Sequence, residues 1–238
     1  MVPPGATRRN GAAVIEFEEA GFSYGQDRIL SGLTLQVTPG SFHFLTGPSG
    51  AGKTTFLKMC YLALRPSEGR MLSFGRDAAG MDRDDIARQR QRMGVMHQNC
   101  QFLDHLSLRD NIMLPLRVSG RADGNSDQDL DDLLKWVGLE HRATALPPEL
   151  SGGERQRAAL ARAIIVAPDV IVADEPTGNL DWAMAEKVLR LLVELNRLGK
   201  AILIATHDLN LIRAAKADVN ARVLRLAKGR MTVAGTDL

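Results

Sequence analysis

The order of apolar and polar residues along the chain predicts strands before and between helices. Alternating positions predict two antiparallel strands at 14–24 and 32–38, the first of them as an edge strand. Short continuous apolar runs predict buried strands at 42–46, 93–97, 170–174 and 201–205. A further strand is expected at 69–74. The pattern indicates an α/β protein that places antiparallel strands before a parallel core.

A helical pattern occupies the segment between residues 103 and 165, where no β-like alternation appears. Its clearest helix is 126–137, in which Ser126 and Asp129 have the spacing of a capping box and Gly138 provides the stop. Other helical stretches are expected at 56–62, 82–92, 152–166 and 188–198. A terminal hairpin is expected at 222–238. We therefore expect the segment 103–165 to be a helical subdomain inserted into the α/β core.

A glycine-rich loop between a predicted strand and a predicted helix carries the first chemical signal. Gly47, Gly52, Lys53 and Thr54 fit the pattern of glycine, four residues, glycine, lysine and serine or threonine. Such glycines let successive backbone N–H groups turn toward an anion at a helix N-terminus. Lys53 would reach the β- and γ-phosphates of a nucleoside triphosphate, and the Thr54 hydroxyl would ligate Mg²⁺. The whole loop comprises Gly47, Pro48, Ser49, Gly50, Ala51, Gly52, Lys53, Thr54 and Thr55.

Two acids, Asp174 and Glu175, close the buried strand 170–174, at the edge where open α/β sheets bind ligands. The position of Asp174 suits a Mg²⁺ ligand, held directly or through water. Glu175 is the natural candidate to orient or deprotonate an attacking water. Both acids could instead only cap the strand, but a phosphate loop in the same chain favours the catalytic interpretation.

The stretch 150–156 combines an ordinary helix start with glycines that a helix start does not need. Ser151 and Glu154 predict a capping box. Gly152 and Gly153 cost roughly 1 kcal/mol each relative to alanine in a helix, and they let a helix N-terminus press close against an anion. One nucleotide does not need two such helix ends from one chain. We therefore expect the second helix end to serve a nucleotide held by another copy.

Composition and charge narrow the class of protein. The 238 residues suffice for one large α/β domain with a subdomain, or for two small domains. A net charge of +2 argues against a nucleic-acid partner and against strong attraction to a membrane surface. Cys60 and Cys100 lack metal-ligand spacing and fit incidental thiols of a reduced cytosolic protein.

Two further absences concern the membrane and the N-terminus. No apolar run approaches the roughly 18–20 residues that a membrane span needs. Residues 1–13 contain prolines and arginines without a hydrophobic segment, so we expect a flexible tail, not a signal peptide. If the protein works at a membrane, another chain must supply the membrane part.

These motifs, in this order, resemble the ATP-binding subunit of ATP-binding cassette (ABC) transporters over residues 14–238. The resemblance implies an ABC-type P-loop ATPase domain with an N-terminal antiparallel β-subdomain, a parallel RecA-like core and the helical insertion. It implies ATP and Mg²⁺ as cofactors. Tyr24 would stack on the base and His207 would be the switch histidine. Without the resemblance, Tyr24 would be a core or surface tyrosine and His207 a satisfied interior histidine.

The same resemblance distributes further roles over the predicted site. Lys53, Glu175 and His207 would be catalytic. The metal site would be formed by Thr54, Gln98 and Asp174. Asp181 would belong to the D-loop at 179–181. His97 departs from the family, which commonly has phenylalanine there, and Arg155 replaces a glutamine of the signature; neither change removes a catalytic group.

A head-to-tail homodimer with two ATP molecules at its interface is also implied. Each ATP would lie between the loop 47–55 of one copy and Ser151, Gly152, Gly153 and Glu154 of the other. ATP binding would close the dimer and hydrolysis would release it, through contacts that only the closed state makes.

Less generic runs, at 133–139, 145–150, 158–165 and 184–189, resemble the cassettes of bacterial cell division. That branch implies a protein on the cytoplasmic face of the inner membrane at the division site. Its partners would be an integral membrane protein, which controls cell-wall hydrolases, and division-ring proteins. The membrane partner's coupling helix would dock around 98–112, with Leu103, Leu106 and Leu108 as apolar contacts.

Two other classes remain as alternatives. Cassettes of lipoprotein release or macrolide export share the run 173–181, and the accompanying membrane protein would discriminate them. A nucleic-acid-linked ATPase of repair or translation would carry a coiled-coil or zinc insertion, or two cassettes, and this sequence has neither. We therefore expect no nucleic-acid partner.

Overall fold

A computed structural model describes residues 12–233. The strands are β1 (Ile15–Tyr24), β2 (Asp27–Val37), β3 (Phe42–Thr46), β4 (Glu68–Ser73), β5 (Arg76–Asp77), β6 (Met93–Met96), β7 (Val170–Asp174), β8 (Ala201–Ala205), β9 (Ala221–Ala227) and β10 (Arg230–Val233). The α-helices are α1 (Lys53–Cys60), α2 (Arg83–Arg90), α3 (Leu108–Val118), α4 (Ser126–Trp136), α5 (Gly152–Ile164), α6 (Trp182–Arg197) and α7 (Leu209–Asp218). Most of the expected tail 1–13, and the end of the expected hairpin after residue 233, lie outside the described residues.

The strands form two sheets. The first is antiparallel, with the order β2-β1-β4-β5. In the second, β9, β3, β8, β7 and β6 run parallel, and β10 adds an antiparallel edge beside β9. Together with the helices, these sheets confirm the predicted fold class.

Strand β1 corrects one expectation, since it is an inner strand and not an edge strand. It pairs with β2 on one side and with β4 on the other. Its alternating acids are exposed because one face of this sheet meets water: Glu16 accepts a hydrogen bond from Gln36 of β2, and Glu18 pairs with Arg70 of β4. The alternation of apolar and acidic residues along β1 thus indicates that one face of the sheet meets water, not that the strand lies at the edge of the sheet.

The segment between β6 and β7 contains α3, α4 and α5, and their apolar faces form a hydrophobic cluster of their own. Leu108, Ile112, Leu130 and Leu134 are its most completely buried leucine and isoleucine side chains on α3 and α4. Helix α5 contributes Ala158 and Ala161 to this cluster, and Ala159 and Leu160 to the core under the parallel sheet. The helix that opens with the Ser151 motif is thus packed on both sides.

Two local expectations were wrong or incomplete. Helix α4 has Asn125 as its N-cap, without a side-chain cap, and the Ser126 hydroxyl accepts from the Asp123 amide at 2.9 Å, so Ser126 and Asp129 form no capping box. Helix α7 was not expected at all. Asp208 caps it by accepting from the amides of Asn210 and Leu211.

No helix among residues 12–233 combines the length and apolarity that crossing a bilayer requires.

His43 is the second residue of β3, the strand between β8 and β9, and its side chain is buried. Neither ring nitrogen has a hydrogen-bond partner among the described residues. Burial, with a smaller contribution from the charge of Arg222, lowers the pKa of His43 from the ordinary 6.5 to about 4. The folded protein therefore holds a neutral imidazole that the unfolded chain protonates more readily.

This difference predicts acid-sensitive stability. Because the folded pKa is lower, the stability contribution of neutral His43 is complete above pH 6.5 and declines as the pH falls toward 4. Between pH 7.5 and pH 5.5 the parent should lose about 1 kcal/mol more unfolding free energy than His43→Leu. Urea unfolding at the two pH values measures this, with exposed His141→Leu as the matched control. Equal pH dependence of the parent and His43→Leu would contradict the assignment.

Candidate active site

The loop after β3 is shaped by two glycines that no other residue could replace without displacement. Gly52, the N-cap of α1, has φ of 97°, and a Cβ there would stand 2.9 Å from Leu30 Cδ2. Gly47 has φ of 150°, and its Cβ would collide with the carbonyl oxygen of Leu226 on β9. The backbone is therefore fixed against β2 and β9 in a form that leaves the start of α1 open.

The side chains that follow these glycines hold the loop in place. Lys53 Nζ donates to the carbonyl oxygens of Gly47 at 2.8 Å and Pro48 at 3.1 Å, so it spans the loop. The Thr54 hydroxyl donates to Asp174 Oδ2 at 2.8 Å. The phosphate loop and the acid at the end of β7, predicted separately, are thus in direct contact.

The surroundings of Asp174 suit a hard cation. Burial raises the pKa of its carboxyl, the Thr54 hydrogen bond opposes this rise, and the charge of Glu175 adds to it. A partly buried carboxylate, a hydroxyl and the nearby amide of Gln98 are oxygen donors of the kind that Mg²⁺ prefers. Among residues 12–233 no three His, Cys, Asp or Glu side chains cluster as a complete cage. The residues present fit a Mg²⁺ ion that takes its other ligands from phosphates and water.

Glu175 is held by two neighbours at the end of β8. Its Oε1 lies 2.8 Å from His207 Nδ1, and its Oε2 accepts from the Thr206 hydroxyl at 3.1 Å. The Glu175 side chain is 16% exposed, whereas that of His207 is 79% exposed. The backbone of Glu175 has a φ of 49°, which is unusual for a residue with a side chain. A carboxylate fixed on both oxygens and open on one side can orient a water molecule.

A cleft of about 620 Å³ collects most of the predicted site. Its lining includes Gly47, Ser49, Gly50, Gly52, Lys53, Thr54, Thr55, Gln98, Asp174, Glu175 and His207. Pro48 and Ala51 belong to the loop without lining the cleft. Ile29 of β2 also lines it; this residue lies outside the predicted strand 32–38 and was not predicted to belong to the site.

Outside the loop, six predicted positions do not line this cleft: Tyr24, Ser151, Gly152, Gly153, Glu154 and Asp181. Tyr24 lies half exposed at the end of β1, with its ring edge-on to Phe22 at 4.8 Å between centroids. Ser151, Gly152 and Gly153 form the N-terminus of α5, where Ser151 and Gly152 are exposed. Asp181 caps α6 by accepting from the Met184 amide at 2.9 Å. The roles of these residues toward a nucleotide remain predictions.

The capping box at the start of α5 is confirmed. Ser151 Oγ accepts from the Glu154 amide at 3.3 Å, and Glu154 Oε2 accepts from the Ser151 amide at 2.8 Å. Glu154 also pairs with Arg142, at 3.2 Å from its Nε. Glu154 therefore stabilises the helix start within its own chain, and Ser151 and Gly152 are the exposed residues of this start.

The sequence analysis did not predict the contacts of two polar residues with Glu175. Thr206 is buried and bonds the Glu175 carboxylate. Gln156 is buried and donates to the Glu175 carbonyl oxygen at 3.0 Å. For Gln156 the sequence did contain a signal: the helix period places this polar residue on the side of α5 that faces the core.

The geometry of the cleft places the protein among the P-loop nucleotide hydrolases, with a lysine-bearing glycine loop linked to a strand-end aspartate. The ABC transporter family model matches residues 30–178, more than half of the chain. The chain belongs to the ABC transporter family, and the fold class and the ATP-hydrolysing activity predicted from sequence are thereby confirmed.

Within this family, the chain is similar to cell-division proteins and to a macrolide exporter. The cell division ATP-binding protein FtsE of Escherichia coli (strain K12) is 39% identical over 219 residues, which cover 92% of this chain and 97% of FtsE. FtsE of Bacillus subtilis (strain 168) is 36% identical, over 87% of this chain and 91% of that protein. The macrolide export ATP-binding/permease protein MacB of Marinobacter nauticus is 34% identical over 92% of this chain, but only 34% of MacB is covered.

Solved structures agree with this fold. A dimeric ATP-binding cassette in a post-hydrolysis state, bound to ADP and Pi, superposes with a TM-score of 0.82 at 30% identity, covering 92% of this chain and 98% of that one. A dimeric bacterial ABC transporter cassette superposes with a TM-score of 0.83 at 31% identity, with the same coverage.

The position of Lys53 predicts a defect in nucleotide binding. Lys53→Ala removes the ammonium group that spans the loop, so the dissociation constant for ATP should rise by about tenfold or more. Titration with a fluorescent ATP analogue measures it, and Lys187→Ala, an exposed lysine on α6, is the control. An unchanged affinity for Lys53→Ala would contradict the assigned phosphate site.

Proposed function

We propose that this protein is the cytoplasmic ATPase of a cell-division complex of the FtsEX kind. ATP binding and hydrolysis would act on an FtsX-like integral membrane protein that controls septal cell-wall hydrolysis. The observation that carries the proposal is the 39% identity to Escherichia coli FtsE over nearly the whole of that protein. The protein would act peripherally, on the cytoplasmic face of the inner membrane at the division site, with division-ring proteins as further partners.

In the proposed reaction the chain supplies binding and proton-handling groups. The loop amides and Lys53 bind the phosphates of ATP, and Thr54, Gln98 and Asp174 would hold Mg²⁺. When bound, Mg²⁺ neutralises charge on the phosphate oxygens. Glu175 orients and deprotonates the attacking water, while His207 and Thr206 hold its carboxylate.

The active form that we propose is a head-to-tail homodimer. The cleft holds one set of phosphate-binding groups, and the exposed start of α5, at Ser151, Gly152 and Gly153, supplies a second set to the other copy's ATP. Two features support this arrangement: the start of α5 does not line the cleft of its own chain, and the similar cassettes are dimeric. Tyr24 and Asp181 would complete the contacts, on the base and across the interface.

Replacement of the water-orienting group predicts a separation of binding from turnover. Glu175→Gln keeps the shape of the side chain, so the ATP dissociation constant should stay within about threefold while turnover falls by about a hundredfold or more. Phosphate release and size-exclusion chromatography with ATP measure the two effects, and the variant should accumulate as a dimer. Glu140→Gln, an exposed acid, is the control. Turnover of Glu175→Gln at the parent rate would exclude Glu175 as the base.

The docking site for the membrane partner needs a correction from its predicted position. Leu108 is wrong as a contact residue because it is completely buried in the cluster of α3 to α5. Leu103 is 42% exposed and Leu106 is partly buried, and neither lines the groove described next. The neighbouring groove of about 550 Å³ is lined by Gln101 and by later residues of α3, including Leu114, Pro115 and Val118.

We place the partner's helix in this groove. Its floor contains Met93, Val95 and Ala163, so an apolar helix face could pack there. His97 lines both this groove and the adjoining cleft that contains Thr54 and Asp174. A partner helix bound in the groove would therefore affect His97, which lies beside the proposed nucleotide site.

Val118 offers a direct test of the groove, since its side chain is 79% exposed and its replacement should leave the fold intact. Val118→Glu should abolish co-purification of the membrane partner in detergent, because a carboxylate would have to be desolvated in the groove. Val233→Glu, at a 71% exposed valine on β10, is the matched control. Retention of the partner by Val118→Glu, combined with its loss in Leu106→Glu, would return the docking site to the position predicted from sequence.

The alternative function is that of an ATPase subunit for lipoprotein release or macrolide export, supported by the 34% identity to MacB. Identification of the membrane chain that co-purifies with the protein separates the two functions.

A further inference from the structure

Gln156 connects two parts of the molecule that the proposed reaction uses separately. It lies on α5, three residues after Gly153, and is only 3% exposed. Its Nε2 donates to the carbonyl oxygen of Glu175 at 3.0 Å, and its Oε1 accepts from the Asn179 amide at 3.1 Å. One side chain thus fixes the backbone on both sides of the turn that begins at the water-orienting glutamate.

That turn is conformationally demanding. Glu175 has a positive φ of 49°, and its carbonyl oxygen also accepts from the Gly178 amide at 3.3 Å. A residue with a side chain adopts such a conformation only where its surroundings impose it. The hydrogen bond from Gln156 is one of the contacts that do so, and the direction of the Glu175 side chain depends on this backbone.

The start of α5 packs against the same turn. A Cβ on Gly152 would lie 3.6 Å from Asn179 Cβ, and one on Gly153 would lie 3.3 Å from Leu180 Cδ2. The helix end that is proposed to meet the other copy's ATP therefore lies close to residues 179–180, with room for little more than a methyl group between them. A shift of this helix end cannot occur without moving the turn or breaking the bonds of Gln156.

We propose that Gln156 is a positioning residue that couples the start of α5 to the carboxylate of Glu175. When Ser151 and Gly153 engage the nucleotide of the other copy, Gln156 carries the resulting shift of α5 to the backbone of Glu175. Each chain's water-orienting group is then set by the ATP that its α5 contacts, as well as by the ATP in its own cleft. This inference rests on the proposed dimeric ATPase function.

A purely structural role for Gln156 makes a different prediction. A satisfied buried glutamine stabilises the fold, and its loss would lower stability without a selective effect on turnover. Gln89 on α2 controls for the replacement of a buried glutamine: it is 7% exposed and lies outside the proposed site, and its Oε1 has no hydrogen-bond partner among the described residues.

The experiment compares Gln156→Met with Gln89→Met. Methionine keeps the length of the side chain and removes both hydrogen bonds. For Gln156→Met we expect kcat to fall by about tenfold or more, KM for ATP to change by less than about threefold, and the Hill coefficient for ATP to fall toward one. Gln89→Met should keep the parent values of all three. A kcat of Gln156→Met within about twofold of the parent would overturn the proposal, as would equal losses in both variants.

Hydrogen exchange gives a readout that does not depend on turnover. The Asn179 amide donates to Gln156 Oε1, so its exchange should accelerate by about tenfold in Gln156→Met and stay unchanged in Gln89→Met. Unchanged exchange at Asn179 in Gln156→Met would overturn the positioning role. Absence of ATP turnover in the parent itself would instead refute the proposed function, and the exchange measurement would still decide whether Gln156 positions the turn.

Discussion

Parallel pairing of β3, β8 and β7 is the constraint on which the rest of the structure depends. Parallel strands end at the same edge of a sheet, so residues far apart in the chain meet where these strands stop. The loop after β3, the acids after β7 and His207 after β8 become neighbours in this way. These strands are buried on both faces, so their side chains are apolar and polar side chains occur where the strands end. His43 within β3 is the exception. The cleft follows from the topology of the sheet.

The edge where the parallel strands end gathers only half of the proposed site in one chain. The cleft contains the loop, the oxygens that are proposed to hold Mg²⁺, and Glu175, whereas the start of α5 does not line it. Helix α5 is nevertheless tied to Glu175 through Gln156 and packs against residues 179–180. A second copy can therefore do more than add contacts to ATP. In the proposed mechanism, it would act through α5 on the geometry of Glu175.

The sequence predicted strands well where burial alone decides them. The bounds of 42–46, 170–174 and 201–205 are those of β3, β7 and β8, because continuous apolar runs of this length are typical of buried parallel strands. The phosphate loop followed from glycines that its backbone requires. Properties that depend on distant partners were harder to predict. The inner position of β1 is set by β4, the burial of Leu108 by α4 and α5, and the role of Gln156 by a turn some twenty residues away.

The central claim is that the site is completed by a second copy, and the ATP turnover per molecule tests it most directly. Turnover is measured at saturating ATP over a range of protein concentrations for the parent and for Ser151→Arg, a change at an exposed residue outside the cleft. The account predicts that the parent's turnover per molecule rises with protein concentration to a plateau. Ser151→Arg should bind ATP with parent affinity and remain about a hundredfold slower at every concentration. Parent turnover independent of concentration, with Ser151→Arg equal to the parent, would contradict it.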